Sequence, residues 1–216
     1  MMRPSCIMIK YPSIESLRHV VAELQYRHGS DLPTIDFKGT VKLHGTNAGV
    51  GLGPDGLWTQ SRSRIITQDS DNAGFAKFVV AHHKQFFSLL MELRDGGSTD
   101  DEGKICVYGE WCGKGIQKGV AISEVPPTFV VFGAKSLHWL PLDVITEHVV
   151  ALKDDRIRSI GEFETYNISI NFNDETQLQE TSRTLQQMTD LVAAQCPVGQ
   201  AMGVKGHGEG IVWIGS

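Results

Sequence analysis

A lysine stands where a strand-like run gives way to a glycine-containing turn, in the segment Lys42-Leu43-His44-Gly45-Thr46-Asn47. A primary amine held at such a turn is a candidate nucleophile. An ordinary lysine amine, with a pKa of about 10.4, is unprotonated in roughly one copy in a few thousand near neutral pH. Nucleophilic use therefore asks for one of two aids. Burial or neighbouring cations favour the neutral amine, and a divalent metal bridging phosphates eases the departure of the leaving group. Gly45 lets backbone come close to a ligand, while Thr46 and Asn47 offer short polar side chains for phosphate or ribose. Alone, a lysine beside a glycine is more often a solvated turn.

The elements around this turn follow from periodicity. Residues 34–42 and 48–52 read as strands on either side of it, and Gly53-Pro54-Asp55-Gly56 is a turn into a third strand, 57–62. Lys42 and Arg62 are then expected on neighbouring strands. Residues 13–27 carry Ile14, Leu17, Val20, Val21 and Leu24 on one helical face and stop at Gly29. Phe75, Phe78, Val79, His82, Phe86, Leu89, Leu90 and Leu93 recur at helical spacing, predicting one long helix over 74–94 packed on a sheet. A polar, glycine-rich surface loop is expected at 95–103. Residues 104–111 and 128–134 are β-rich, bringing Glu110 and Phe132 into one sheet, and 141–152 and 174–194 are helical. Between the β-rich runs, 113–119 is an exposed loop with Lys114 and Lys118, placed to touch phosphate or RNA.

Composition bounds the answer further. With 216 residues and 41% hydrophobic content the chain can bury a real core, and one domain over 1–216 is expected, with 1–30 as a helical N-terminal brace. The formal net charge of −5 excludes a protein coated in basic surface, so contact with nucleic acid must come from a local patch. Cys6, Cys106, Cys112 and Cys196 lack paired metal spacing and disulfide-scaffold density, so reduced, partly buried thiols are expected. No run approaches the ~20 apolar residues that span a bilayer, and residues 1–10 hold no apolar core of signal-peptide length. A cytoplasmic location is expected, whether in an ordinary cell or a phage-infected host, with an organellar matrix as the alternative.

Four further segments give the lysine its context: Ser61-Arg62-Ser63-Arg64, Val107-Tyr108-Gly109-Glu110-Trp111, Phe129-Val130-Val131-Phe132-Gly133 and Glu209-Gly210-Ile211-Val212-Trp213. With Lys42-x-His44-Gly45 they resemble motifs I, Ia, III, IIIa and IV of the covalent nucleotidyltransferases, the polynucleotide ligases and messenger-RNA capping enzymes, in the same order. Capping enzymes and DNA ligases usually carry aspartate two residues after the lysine. His44-Gly45-Thr46-Asn47 looks instead like the RNA ligase 2 type, which includes phage nick-sealing and kinetoplastid RNA-editing ligases, and this disfavours a capping-type guanylyltransferase. The resemblance covers about residues 35–214 and implies an α+β, ATP-grasp-like nucleotidyltransferase (adenylation) domain, with antiparallel sheets flanked by helices around a nucleotide cleft.

The implied reaction is transfer of AMP. Lys42 attacks the α-phosphate of ATP, with Mg²⁺ or Mn²⁺ neutralising charge, and the lysine-adenylate passes AMP to a 5′-phosphate RNA end. A 3′-hydroxyl then displaces AMP to seal the strand, a reaction of RNA repair. By the motif match Arg62 suits a phosphate, Glu110 the ribose hydroxyls, and Glu209 the metal or the lysine amine. His44 suits the pyrophosphate or metal. Phe132 offers a ring to adenine, with Phe129 competing for that part. His82, His83, His138 and His148 are expected to be structural.

One part of the family pattern is missing. Family members carry a Lys-x-Lys pair, motif V, shortly after motif IV, whereas no lysine follows Glu209 and Lys205 precedes it. A second chain or a further C-terminal segment supplying motif V is one expectation, and a substitute lysine is another. The alternative is a nucleotide-binding or self-adenylating module that has lost efficient strand joining.

Overall fold

The computed structural model describes residues 8–96 and 103–215. Cys6 and most of the expected loop at 95–103 lie outside them. The chain forms two sheets. The smaller contains β1 (Thr34–Lys42), flanked by β8 (Thr165–Asn171) and β9 (Gly210–Gly215), all antiparallel. The larger runs β4 (Ile65–Ile66), β3 (Gly56–Ser61), β2 (Thr46–Gly53), β5 (Ile105–Cys112), β6 (Thr128–Lys135), β7 (Ile157–Ser159). Its pairs are antiparallel except β6 with β7. The fold is α+β.

Period-two alternation on β5 sorts three environments. Ile105, Val107 and Trp111 join the main core, where α2 (Phe75–Ala81), α3 (His83–Asp95) and α4 (Leu142–Ala151) cover one sheet face with Phe75, Phe86, Leu89, Leu90 and Ile145. The opposite face carries Tyr108, Glu110 and Cys112 in turn. Cys112 joins a second core with Val41 and Leu43 from β1 and its turn, Val130 from β6, and Val192 and Val198 from α5 (Glu175–Ala194) and α6 (Pro197–Ala201). That second core joins the two sheets. Cys106, Cys112 and Cys196 are buried and form no disulfide among the described residues.

Several expectations on local structure are refined. The single helix over 74–94 is two, broken at His82, where φ −110° and ψ 29° leave the helical basin. The His82 ring sits 4.1 Å from the Phe78 ring, with Nδ1 2.9 Å from the Phe78 carbonyl and Nε2 3.8 Å from Asp154. Tertiary partners at this residue thus interrupt a continuous apolar pattern. The first helix, α1, is Leu17–His28 and not 13–27, because Ser16 is extended and its hydroxyl accepts the His19 N–H as an N-cap. α1 has no buried residue. Lys42 and Arg62 are not on neighbouring strands: Lys42 ends β1 in the smaller sheet and Arg62 follows directly on β3 of the larger, because β1 pairs with β8 and β9 and the chain crosses to the larger sheet at 43–45.

At the centre of the larger sheet the backbones leave no room for a methyl group on Gly109. A Cβ there would lie 2.5 Å from the Val130 carbonyl oxygen and 2.6 Å from the Phe129 ring. Gly109→Ala is expected to destabilise the protein by about 1–3 kcal/mol in urea unfolding, since the clash is with backbone. Gly96→Ala, where a Cβ would lie 3.6 Å from the Glu92 carbonyl oxygen and the backbone is αR, should stay within about 0.5 kcal/mol of wild type. Equal effects would remove the packing argument.

Candidate active site

The two sheets face each other across a cleft of about 390 Å³. Lys42, His44, Gly45, Asn47, Arg62, Glu110, Phe132 and Glu209 all line it. Each reaches it by a different local rule. Lys42 ends β1 opposite Gly210 of β9, which brings Glu209 beside it: Lys42 Nζ donates to Glu209 Oε1. His44 Nδ1 lies 3.6 Å from Glu209 Oε2, so the one carboxylate is shared by amine and imidazole. Lys42 and Glu209 side chains remain 43% and 30% exposed, within reach of a ligand.

Across the cleft, Asn47 on β2 pairs with Glu110 on β5, which puts both side chains on one face. Glu110 Oε1 accepts the Gly45 N–H at 3.0 Å and ties the lysine turn to the larger sheet. Gly45 itself does more than admit a ligand. A Cβ on it would stand 2.4 Å from the Trp111 carbonyl oxygen and 2.8 Å from Cys112 Cβ, so the turn packs directly on β5. Thr46 also serves the scaffold, accepting from Asn72 Nδ2 at 2.9 Å. The two arginines of the Ser61–Arg64 segment divide their work. Arg62 faces the cleft, while Arg64 donates to the Ser70 carbonyl and hydroxyl and to the Asp71 carbonyl.

Phe132 owes its position to a β-bulge. Tyr108 pairs with Gly133 and Gly109 with Val131, leaving Phe132 without a partner on β5. Val131 points into the main core and Phe132 to the opposite face, at the cleft. Phe129 is fully buried in that core against Phe75 and Phe86 and does not reach the cleft. From the loop 113–119 it is Gln117, not a lysine, that reaches the site, donating to the Gly45 carbonyl at 3.4 Å. Neither Lys114 nor Lys118 lines the cleft. His82, His83, His138 and His148 lie outside it, and His148 Nδ1 rests 2.8 Å from the Val144 carbonyl of its own helix. Sequence reasoning missed Thr40, Ile160, Val212 and Ile214 on the smaller-sheet side, and Tyr11, Pro12 and Ile14 from the N-terminal segment. The period-two rows Thr40, Lys42 and Val212, Ile214 were the available signal for the strand residues.

Among the described residues no three histidine, cysteine, aspartate or glutamate side chains converge as a metal cage. A chelating site built from protein alone does not fit. Glu209 offers the cleft a carboxylate, the kind of hard oxygen donor that suits a divalent cation carried on phosphate oxygens.

Residues 36–213 match the RNA ligase family, and the chain belongs to it. The fold is similar to solved structures of Naegleria gruberi RNA ligase. A lysine-to-methionine variant with AMP and Mn aligns with a TM-score of 0.62 and a lysine-to-alanine variant with ATP and Mn with 0.61, each at 16% identity. The same ligase with PPi aligns at 0.58 and 18% identity. The first two alignments cover 96% of this chain and 53% of the other, the third 95% and 52%, so the chain spans about half the length of these ligase chains. No curated protein matches the sequence. The α+β architecture, with antiparallel sheets and covering helices, is the RNA ligase nucleotidyltransferase fold. No helix among the described residues is long and apolar enough to cross a membrane.

Burial pushes the Glu110 carboxyl up to about 7 from 4.5; the Gly45 N–H lowers it, the nearby Glu209 charge adds to the rise, and Lys42 and Arg62 also pull it down. The folded protein therefore holds a proton that the unfolded chain releases near 4.5. This contribution to stability is fully present below about 4.5 and is lost as pH rises through about 7. Between pH 4.5 and 8, wild type should lose stability relative to Glu110→Gln by about 1–3 kcal/mol. Denaturant midpoints compared across that range test it, and parallel profiles would show that Glu110 titrates normally.

Proposed function

We propose that this chain is an ATP-dependent RNA ligase-like adenylyltransferase that forms a lysine-AMP intermediate on Lys42. The carrying observation is the contact of Lys42 Nζ with Glu209 in a cleft whose other wall presents Asn47, Glu110, Arg62 and Phe132. The family match supports ligase chemistry, and the ATP, AMP and Mn in the related Naegleria gruberi structures support the nucleotide and metal.

In the proposed step the Lys42 nitrogen forms a bond to the α-phosphorus while the bond from that phosphorus to the β-phosphate bridging oxygen breaks. Pyrophosphate leaves with that electron pair. The ammonium must lose one proton to attack and a second as the phosphoramidate forms; Glu209 Oε1, already in contact with it, accepts the first and solvent takes the second. Glu209 would hold a divalent cation carried on the triphosphate, and that cation would supply charge neutralisation for the leaving group. His44 stands beside Glu209 and keeps that carboxylate oriented, or meets the departing phosphates. Arg62 offers a permanent planar cation to phosphate. Glu110, with one oxygen on the Gly45 N–H, has a second for ribose hydroxyls. Phe132 supplies the adenine platform. Positioning and electrostatics thus account for most of the catalysis.

Transfer of AMP to a 5′-phosphate RNA end and joining to a 3′-hydroxyl complete the proposed cycle. The His44-Gly45-Thr46-Asn47 form of the lysine motif supports the RNA ligase 2 type. Mg²⁺ and Mn²⁺ are both compatible with the oxygen-rich donor set.

Intact protein exposed to ATP and a divalent metal is expected to gain the mass of one AMP, mapping to Lys42, with no adduct on Lys42→Ala. An adduct on Lys38 or Lys114, or normal labelling of the variant, would sink the assignment. Glu209→Ala should slow adduct formation on the order of 10²-fold or more with little change in melting temperature. Phe132→Leu should weaken ATP binding about 5- to 150-fold, the range of base–aromatic stacking. Phe129→Leu should act through stability, because that ring lies in the main core. The reverse order would move the adenine platform.

A further inference from the structure

The cleft has one wall from outside the family-matched span. Residues 36–213 match the family, yet Tyr11, Pro12 and Ile14 line the cleft at the end where Phe132 stands. The segment is fastened by its backbone. The Ile9 carbonyl accepts from Gln60 Nε2 at 2.7 Å and from the Tyr108 hydroxyl at 3.1 Å, which occupies both of its lone pairs. Gln60 is in turn oriented by Trp58, whose indole N–H donates to the Gln60 carbonyl oxygen at 3.0 Å. Gln60 and Tyr108 are 2% and 0% exposed, so this fastening is built into the larger sheet.

Two residues further on, Tyr11 packs with Ile9 on the same cluster, formed by Trp58, Cys106 and Tyr108. Its ring meets three others: Phe132 at 4.9 Å and 67°, Trp139 at 5.3 Å and 80°, and Tyr108 at 5.3 Å. The contact with Phe132 is edge-on. That geometry is favourable between aromatic rings and leaves the edge of one ring to fix the tilt of the other. Phe132 needs such a support, because the bulge that aims it at the cleft also removes its ladder partner. Pro12 follows in the cleft lining, and Ile14, 59% exposed, presents apolar surface to the cleft.

We propose that residues 9–14 form a strap that builds the nucleobase end of the cleft, with Tyr11 as the positioning residue for Phe132 and Ile14 as a contact for the base. This rests on the nucleotide-binding reading above and extends it to base recognition. Lys42 and Glu209 stand on the smaller-sheet side of the cleft, whereas the strap is fastened to the larger sheet. A base seated on Phe132 covers Ile14, so the strap adds to binding of a nucleoside triphosphate and nothing to binding of the bare phosphate chain.

Two probes separate these ends: an ATP analogue with a methylene between the α- and β-phosphorus, and inorganic tripolyphosphate, each titrated with Mg²⁺ present. Tyr11→Ala is expected to weaken the analogue about tenfold or more, with tripolyphosphate unchanged within about twofold. Tyr11→Phe, which keeps the ring, should restore the analogue. Ile14→Ala, at an exposed position, should weaken it severalfold and carries the test if Tyr11→Ala fails to fold. Equal loss of both probes would reduce Tyr11 to a general support of the sheet and overturn the proposal. Unchanged affinity for the analogue in Ile14→Ala and Tyr11→Ala, while wild type still forms the Lys42 adduct, would overturn the strap alone. Wild type that neither binds the analogue nor forms the adduct would remove the nucleotide reading and the strap with it.

Discussion

The antiparallel pairing of β1 with β9 is the constraint on which the site depends. It sets Lys42 opposite Gly210 and so holds Glu209 against an amine 167 positions away in sequence. Ion pairs of half-exposed groups contribute little to stability. Here the pair matters because the ladder fixes it beside a cleft. The ladder also explains why one carboxylate meets both Lys42 and His44: the two alternate residues at the end of β1 and its turn point the same way, and β9 enters beside them.

The larger sheet answers with a different device. Its cleft face is a gradient along β5, from Tyr108 beneath the N-terminal segment, through Glu110 in the cleft, to Cys112 in the core between the sheets. Glu110 sits at the transition, and its raised pKa is the electrostatic signature of that place. A carboxyl that is nearly dry, and held by the Gly45 N–H, is a precise acceptor but a costly anion. The cost falls because the Lys42 and Arg62 charges offset part of the lost water.

Much of this was legible in the sequence, and the failures have physical causes. The bounds of β1 follow directly from its alternation, and the five motifs named eight residues that the cleft gathers. Partnership was not legible. Sequence proximity suggested that Lys42 and Arg62 were on neighbouring strands, because nothing local reports that the chain changes sheets at 43–45. β8 was overlooked although Tyr166, Ile168 and Ile170 alternate, since its other face carries polar residues suited to a loop. Phe129 and Phe132 looked equivalent in sequence. The bulge that separates them depends on pairing with β5 and leaves no mark in composition. Tyr11 was invisible for the same reason: its partners come from β5, β6 and the residue Trp139.

The crossings between the sheets also set the mechanics of the cleft. Among the described residues the strands pass from one sheet to the other at 43–45 and again at 160–164, and both crossings contribute residues to the cleft lining. These connections are thus links between the sheets as well as walls. Lys42 lies beside the first crossing, so a change in sheet separation would displace the far ends of the strands more than the Lys42 amine near the fulcrum. Gly45, jammed against the Trp111 carbonyl, limits how far that fulcrum can slide.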